Sequence, residues 1–129
     1  MLLSTSIAIY LHQFSPEETV DMLAEAGFTA LDFGLFNARY YAKDLDGRFF
    51  TELRKKAEDK GLVFNQAHAP FPSGVGKPDR DEEIFADIVR SMKNASLLGA
   101  KNIVVHPVQY LVYANDGVPE KLFELNVAF

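Results

Sequence analysis

Asn65-Gln66-Ala67-His68-Ala69-Pro70-Phe71 and its echo, Ile103-Val104-Val105-His106-Pro107, decide the reading of this chain. In each, an apolar run of strand length reaches a histidine and is then stopped by proline, which removes a backbone donor and fixes φ. Two histidines therefore stand at the same end of two successive strands. If those strands are neighbours in a parallel sheet, both imidazoles lie at its carboxyl-terminal edge, where α/β proteins place their chemistry.

Working outward, both stretches belong to one repeated unit. Gly27, Gly61 and Gly99 recur at nearly constant spacing, each at the end of a helical pattern and each followed by an apolar strand. The first unit begins with a strand over residues 3 to 11. Ser15-Pro16-Glu17-Glu18 then gives a capping serine, a proline in the first turn and a glutamate three residues after the cap. Val20, Leu23, Ala24 and Phe28 follow at helical spacing. The second unit has a strand from Thr29 to Phe33, a loop with Phe36, Tyr40 and Tyr41, and a helix that Asp46-Gly47 leads into and Gly61 stops.

Leu62 to Ala67 reads as the third strand, and the proline- and glycine-rich loop from Pro70 to Pro78 separates it from a longer helix. Asp79 or Asp81 is the expected cap of that helix, with Ile84, Ile88, Met92, Ala95 and Leu98 on one face. Lys101 to His106 is the fourth strand. Asn115-Asp116-Gly117 marks a loop, and Val118-Pro119-Glu120 opens a fourth helix that stops at Phe129 without a cap or polar tail, as a chain cut short would.

Repeated β-then-α units imply parallel strands joined by right-handed crossovers. A complete eight-unit barrel needs about 250 residues. At 129 residues the chain has the length of half a TIM barrel, read as a single α/β domain over 1–129. An open four-stranded sheet of flavodoxin type is the rival.

The apolar fraction of 48% and charged fraction of 24% are those of a soluble globular protein. A net charge of −5 works against extended contact with nucleic acid or an anionic membrane. Arg54-Lys55-Lys56 is the compact basic group, and Glu58 and Asp59 follow it at once, as on a solvated helix face. The absence of cysteine removes disulfides, thiolate metal sites and a cysteine nucleophile. No signal peptide or apolar run of membrane length is present, so the chain reads as cytoplasmic. Ser73-Gly74-Val75-Gly76-Lys77 lacks the spacing of a phosphate-binding loop.

Ala26-Gly27-Phe28-Thr29-Ala30-Leu31-Asp32-Phe33, His68-Ala69-Pro70-Phe71 and Leu98-Gly99-Ala100-Lys101-Asn102 running into Ile103-Val104-Val105-His106-Pro107 carry a resemblance across the whole chain. It resembles the amino-terminal half of the xylose-isomerase-like barrels, which include sugar isomerases and epimerases and the endonuclease-four-type apurinic-site nucleases. The resemblance implies a divalent metal ion, Mn, Mg, Co or Zn, at the carboxyl-terminal mouth. In the nucleases the histidines matching His68 and His106 are zinc ligands. In the sugar enzymes the main metal cage comes from later strands, so the catalytic carboxylates are expected beyond Phe129.

The implied function is a sugar or sugar phosphate isomerase or epimerase, moving a proton beside a carbonyl with a divalent ion's help and active only as part of a complete barrel. His68 and His106 are the candidate substrate or metal contacts. His12 lies past the first strand near the same mouth. Asp32, ending the second strand, is placed to orient a histidine. Gln66 shares strand parity with His68. Phe36, with Phe33, Tyr40 and Tyr41, is a candidate apolar wall for a sugar's C–H face. Two alternatives stand beside this: a zinc-dependent apurinic-site nuclease, disfavoured by the acidic charge, and an inactive half-barrel that forms homo-oligomers through its exposed sheet edges.

Overall fold

A computed structural model describes residues 1–108 and 119–128. The elements are β1 (Ser4–Ser6), α1 (Pro16–Glu25), β2 (Ala30–Gly34), a 3-10 turn (Ala38–Tyr40), α2 (Arg48–Asp59), β3 (Val63–His68), α3 (Pro78–Leu98), β4 (Asn102–Val104) and α4 (Pro119–Ala128). The expected loop at Asn115-Asp116-Gly117, the start of the fourth helix at Val118 and the end at Phe129 lie outside the described residues.

All strand pairings are parallel and the spatial order is β1-β2-β3-β4, the order in sequence. A doubly wound sheet reverses its order at a switch point. The sequential order therefore overturns the flavodoxin-type rival and gives half of a TIM barrel.

One face of the sheet packs against the helices. Leu31 and Phe33 of β2 are fully buried there with Phe50 and Leu53 of α2, and Phe64 is 4% exposed beside them. Phe33 is the hub of this layer, meeting Tyr40, Phe50 and Phe64 edge-on at ring separations of 5.0, 6.1 and 6.0 Å. Strand side chains alternate between faces, so Asp32 points to the opposite, concave side. There Ser6, Asp32, Gln66 and Asn102 stand in register across all four strands.

Local structure follows the sequence closely at α1. Ser15 Oγ accepts from Glu18 N at 3.1 Å and Ser15 N donates to Glu18 Oε2 at 2.8 Å, completing the capping box. Gly99 ends α3 at φ 87°, the left-handed conformation for which glycine carries no Cβ penalty. The basic group on α2 is paired: Arg54 with Glu58, Lys55 with Asp59, and Lys56 across to Asp21 of α1 at 2.7 Å. Lys60 joins the same Asp21, whose carboxyl the two ammonium groups hold below the usual range.

Other expectations are corrected. β1 is three residues long rather than nine, because after Ile7 N donates to Asp32 O the chain folds into turns that deliver Ser15 to its cap. Ile7 is buried and Ile9 is 68% exposed, so the apolar run serves turn packing as well as sheet. β4 stops at Val104, two residues before His106. α3 starts at Pro78 with neither aspartate as its cap. Proline's fixed φ suits the first helical position, and Asp81 is engaged instead by Val75 N at 2.6 Å. Met92 is 47% exposed. The inward position next to it belongs to Ser91, whose hydroxyl donates back to Ile88 O at 2.7 Å and so enters the core satisfied.

Candidate functional site

The carboxyl ends of β2, β3 and β4 build the site, and the backbone fixes His68 before any side chain does. His68 is the last residue of β3 and pairs with Gly34 on one side and Val104 on the other. The ladder continues one step further, with Leu35 N donating to His68 O and Ala69 N donating to Val104 O, both at 2.9 Å. Such a doubly paired residue has little freedom to move its Cα.

The imidazole is then set by Asp32. Nδ1 of His68 lies 3.0 Å from Asp32 Oδ1, with 22% of the histidine side chain and 15% of the aspartate side chain exposed. A carboxylate only accepts hydrogen bonds, so Nδ1 carries a proton, and in the neutral ring Nε2 is left with a lone pair. Gln66 donates to the other oxygen, Asp32 Oδ2, over a long 3.4 Å.

His106 comes from the loop after β4, and its ring stacks on that of His68 with centroids 5.6 Å apart and planes 24° apart. Ser73, fully buried in the loop after β3, donates to His106 O and ties the two loops together. Aromatic rings close both ends of the row: Phe36 lies 5.8 Å from His68 and Phe71 meets His106 edge-on at 5.7 Å. Phe36 and Phe71 are 46% and 45% exposed, so the row of four rings presents apolar surface around two polar ones.

Thus the structure brings together His68, His106, Asp32, Gln66 and Phe36. It does not place Phe33 or Tyr40 at the mouth: both are in the core, Phe33 at 0% and Tyr40 at 4% exposed. Burial pushes the Tyr40 phenol above its ordinary pKa, against the pull of the Arg39 guanidinium. Tyr41 is half-buried beneath α3, where its carbonyl accepts from Arg90 Nε at 2.9 Å. Their even spread along a loop hid which ring faces out, since a 3-10 turn redirects the chain at Ala38. His12 is exposed on the turns after β1 and lines a separate cavity with Phe36. Sequence reasoning missed Phe71, although its place beside His68-Ala69-Pro70 was a signal. It also missed Ser73, whose partner is a backbone atom and leaves no sequence trace.

Among the described residues no three histidine, aspartate or glutamate side chains group as metal ligands. The Nδ1 bond to Asp32 leaves His68 Nε2 free as a ligand atom, but two imidazoles do not complete a divalent centre that wants three or four ligands. No described helix is long and apolar enough to cross a membrane.

The sequence matches the family described as xylose isomerase-like TIM barrel over residues 20–126. The chain belongs to that family. No curated protein matches it in sequence. Among solved structures it is similar to a D-psicose 3-epimerase determined in the presence of D-fructose, with TM-score 0.69 and 14% identity over 99% of this chain and 45% of that one. It is also similar to a sugar phosphate isomerase/epimerase from Parabacteroides distasonis, with TM-score 0.51 and 18% identity over 80% of this chain and 37% of the other. This xylose isomerase-like chain therefore spans less than half the length of either structure. At such identities the likeness speaks for the fold.

Proposed function

We propose that this chain forms the substrate-binding wall of a sugar isomerase or epimerase barrel. The observation that carries the reading is the pair of stacked imidazoles at the carboxyl edge, one oriented by Asp32 at 3.0 Å. The family and its epimerase and isomerase neighbours support it.

A sugar offers alternating hydroxyl groups and C–H faces. His68 Nε2 accepts from a hydroxyl, while the exposed rings of Phe36 and Phe71 cover apolar faces, which is how ligand sites divide recognition. Orientation by Asp32 removes rotamer freedom before the ligand arrives and so lowers the cost of binding. These residues bind and orient. The group that takes a proton from the carbon beside the carbonyl, and the remaining ligands of any divalent ion in the completed barrel, belong to residues outside those described.

D-fructose titrated against the 15N-labelled chain tests this by NMR. The expected result is saturable shifts of the His68 and His106 ring signals, abolished in the His68→Ala/His106→Ala variant. Shifts confined to other residues, or unchanged binding by the double variant, would overturn the assignment.

A further inference from the structure

A second cavity of about 260 Å³ flanks the mouth, sharing Gly34 and Phe36 with it. Its lining also includes Ile9, Leu11, His12, Asn37, Arg39 and Tyr40. That volume is below the roughly 300–1,000 Å³ of whole-ligand sites, so it suits one group of a ligand rather than a molecule.

Arg39 differs from the other arginines in its partner. Four of the arginines hold carboxylates: Arg48 with Asp46 at 2.6 Å, Arg54 with Glu58 and Arg80 with Glu83 at 2.8 Å, and Arg90 with Asp87. Arg39 has no carboxylate partner among the described residues. Its guanidinium lies 4.6 Å from the centre of the Tyr40 ring and donates to the Tyr40 hydroxyl. Glu17 acts on Tyr40 through its charge but makes no ion pair with Arg39. In a chain of net charge −5, a guanidinium without an acidic partner beside a cavity is a place for an incoming anion.

The arrangement is also held in advance. Tyr40 is pinned by Phe33 at 5.0 Å and by Asn94, which donates to its carbonyl at 2.7 Å. Arg39 therefore rests on a fixed platform, which lowers the ordering cost of binding. Phe36 is both a wall of this cavity and the neighbour of His68, so the two places are one ring apart.

We infer that the cavity formed by His12, Arg39 and Tyr40 is an anion subsite, taking the phosphate ester of a sugar whose carbonyl end lies against His68 and His106. The guanidinium fork and the His12 ring supply donors to the phosphate oxygens, and the Tyr40 hydroxyl, already an acceptor, has its own proton to give. The inference rests on the sugar-binding reading above and narrows it to phosphorylated substrates.

The test compares D-fructose 6-phosphate, D-fructose and inorganic phosphate by NMR titration of the full chain, wild type against Arg39→Gln. Charge-assisted hydrogen bonds predict that the wild type prefers the phosphorylated sugar by about tenfold or more. Arg39→Gln abolishes that preference and leaves the affinity for D-fructose unchanged. Inorganic phosphate shifts the Arg39 side-chain and His12 ring signals. His12→Gln, on an exposed turn, is the second variant and weakens the phosphate ester in the same direction. A preference retained in Arg39→Gln, or phosphate shifts without any at Arg39, overturns the subsite. If neither sugar binds while phosphate still shifts Arg39 and His12, the anion site stands and the sugar reading falls.

Discussion

Replacing Asp32 by alanine isolates the contact on which the site's geometry depends. Two bonds end at this carboxylate, the 3.0 Å contact with His68 and the 3.4 Å contact with Gln66. The second is beyond the usual N–H···O range and is worth little. The first is a hydrogen bond to a charged acceptor, a class worth roughly 1.5–3 kcal/mol when well shielded. Here 22% of the His68 side chain is exposed, so water partly replaces the lost acceptor. The expected loss is about 1–2 kcal/mol of unfolding free energy, below the fully buried range. A double-mutant cycle with His68→Ala assigns it: the coupling energy measured by urea unfolding is expected to equal most of that loss.

The same variant has a spectroscopic consequence that packing alone does not predict. In the wild type the Asp32 carboxylate holds the proton on His68 Nδ1, and 15N spectra of the neutral ring report that tautomer. In Asp32→Ala the proton is free to move to Nε2. An unchanged tautomer together with additive unfolding energies in the cycle would show that Asp32 does not orient His68, and the case for a preset imidazole pair would fail.

Ser15→Ala is expected to cost about 1 kcal/mol, the usual value of a serine cap, read from urea denaturation. Glu18→Gln keeps the shape of the capping box but alters its acid response. The Ser15 N–H, and then its hydroxyl, hold the Glu18 carboxyl below its ordinary 4.5, so its contribution is present above that pH and lost as pH falls through the lowered value. The wild type should therefore lose stability more steeply than Glu18→Gln on acidification below about 4.5, and parallel pH profiles would refute this. Gly34→Ala acts on the mouth, because a Cβ there would sit 2.7 Å from Phe36 Cε2 and 3.1 Å from Ala8 Cβ. The half-exposed Phe36 ring yields, and the expected readout is a changed ring-current shift at His68 with the fold intact; an unaltered His68 signal would contradict the contact.

Legibility in the sequence followed the range of the interactions. The capping box, the glycine stops and the parallel order of units are local or repetitive, and periodicity shows them. What failed depended on partners distant in sequence. The inward position at Ser91 rather than Met92 needs a hydroxyl that satisfies itself on Ile88 O, which hydrophobicity counting scores as an error. The aromatic loop could not be sorted because Phe33 and Phe36 differ in exposure through strand parity and a turn, not through composition. His68 was visible as a strand-end residue, whereas Asp32, expected to end its strand, is the middle residue of β2, which runs on to Gly34. Their contact requires the register shift between Leu31 and Asp32, which brings Asp32 level with Gln66 and sets His68 opposite Gly34.

That register shift has a wider effect, since it completes the row of Ser6, Asp32, Gln66 and Asn102 across the concave face. A parallel sheet covered by helices on both faces reads as continuous apolar strands. Here the row of Ser6, Asp32, Gln66 and Asn102 interrupts that pattern with hydroxyl, carboxylate and amide groups. These groups are hydrogen-bonded in part, Asp32 to His68 and Gln66 and Ser6 to Ala8 N, and an apolar layer laid on this face would strip the remaining donors and acceptors of water. Whatever closes over the concave side must therefore bring matching polar groups or water. The same row explains why the His68 imidazole is addressed from below: Asp32 belongs to the polar layer and His68 to the next layer toward the carboxyl edge. The orientation of His68 at the mouth thus depends on a carboxylate in the layer beneath it, and Gln66, which donates to the second oxygen of that carboxylate, is the neighbour through which a change in the row reaches Asp32.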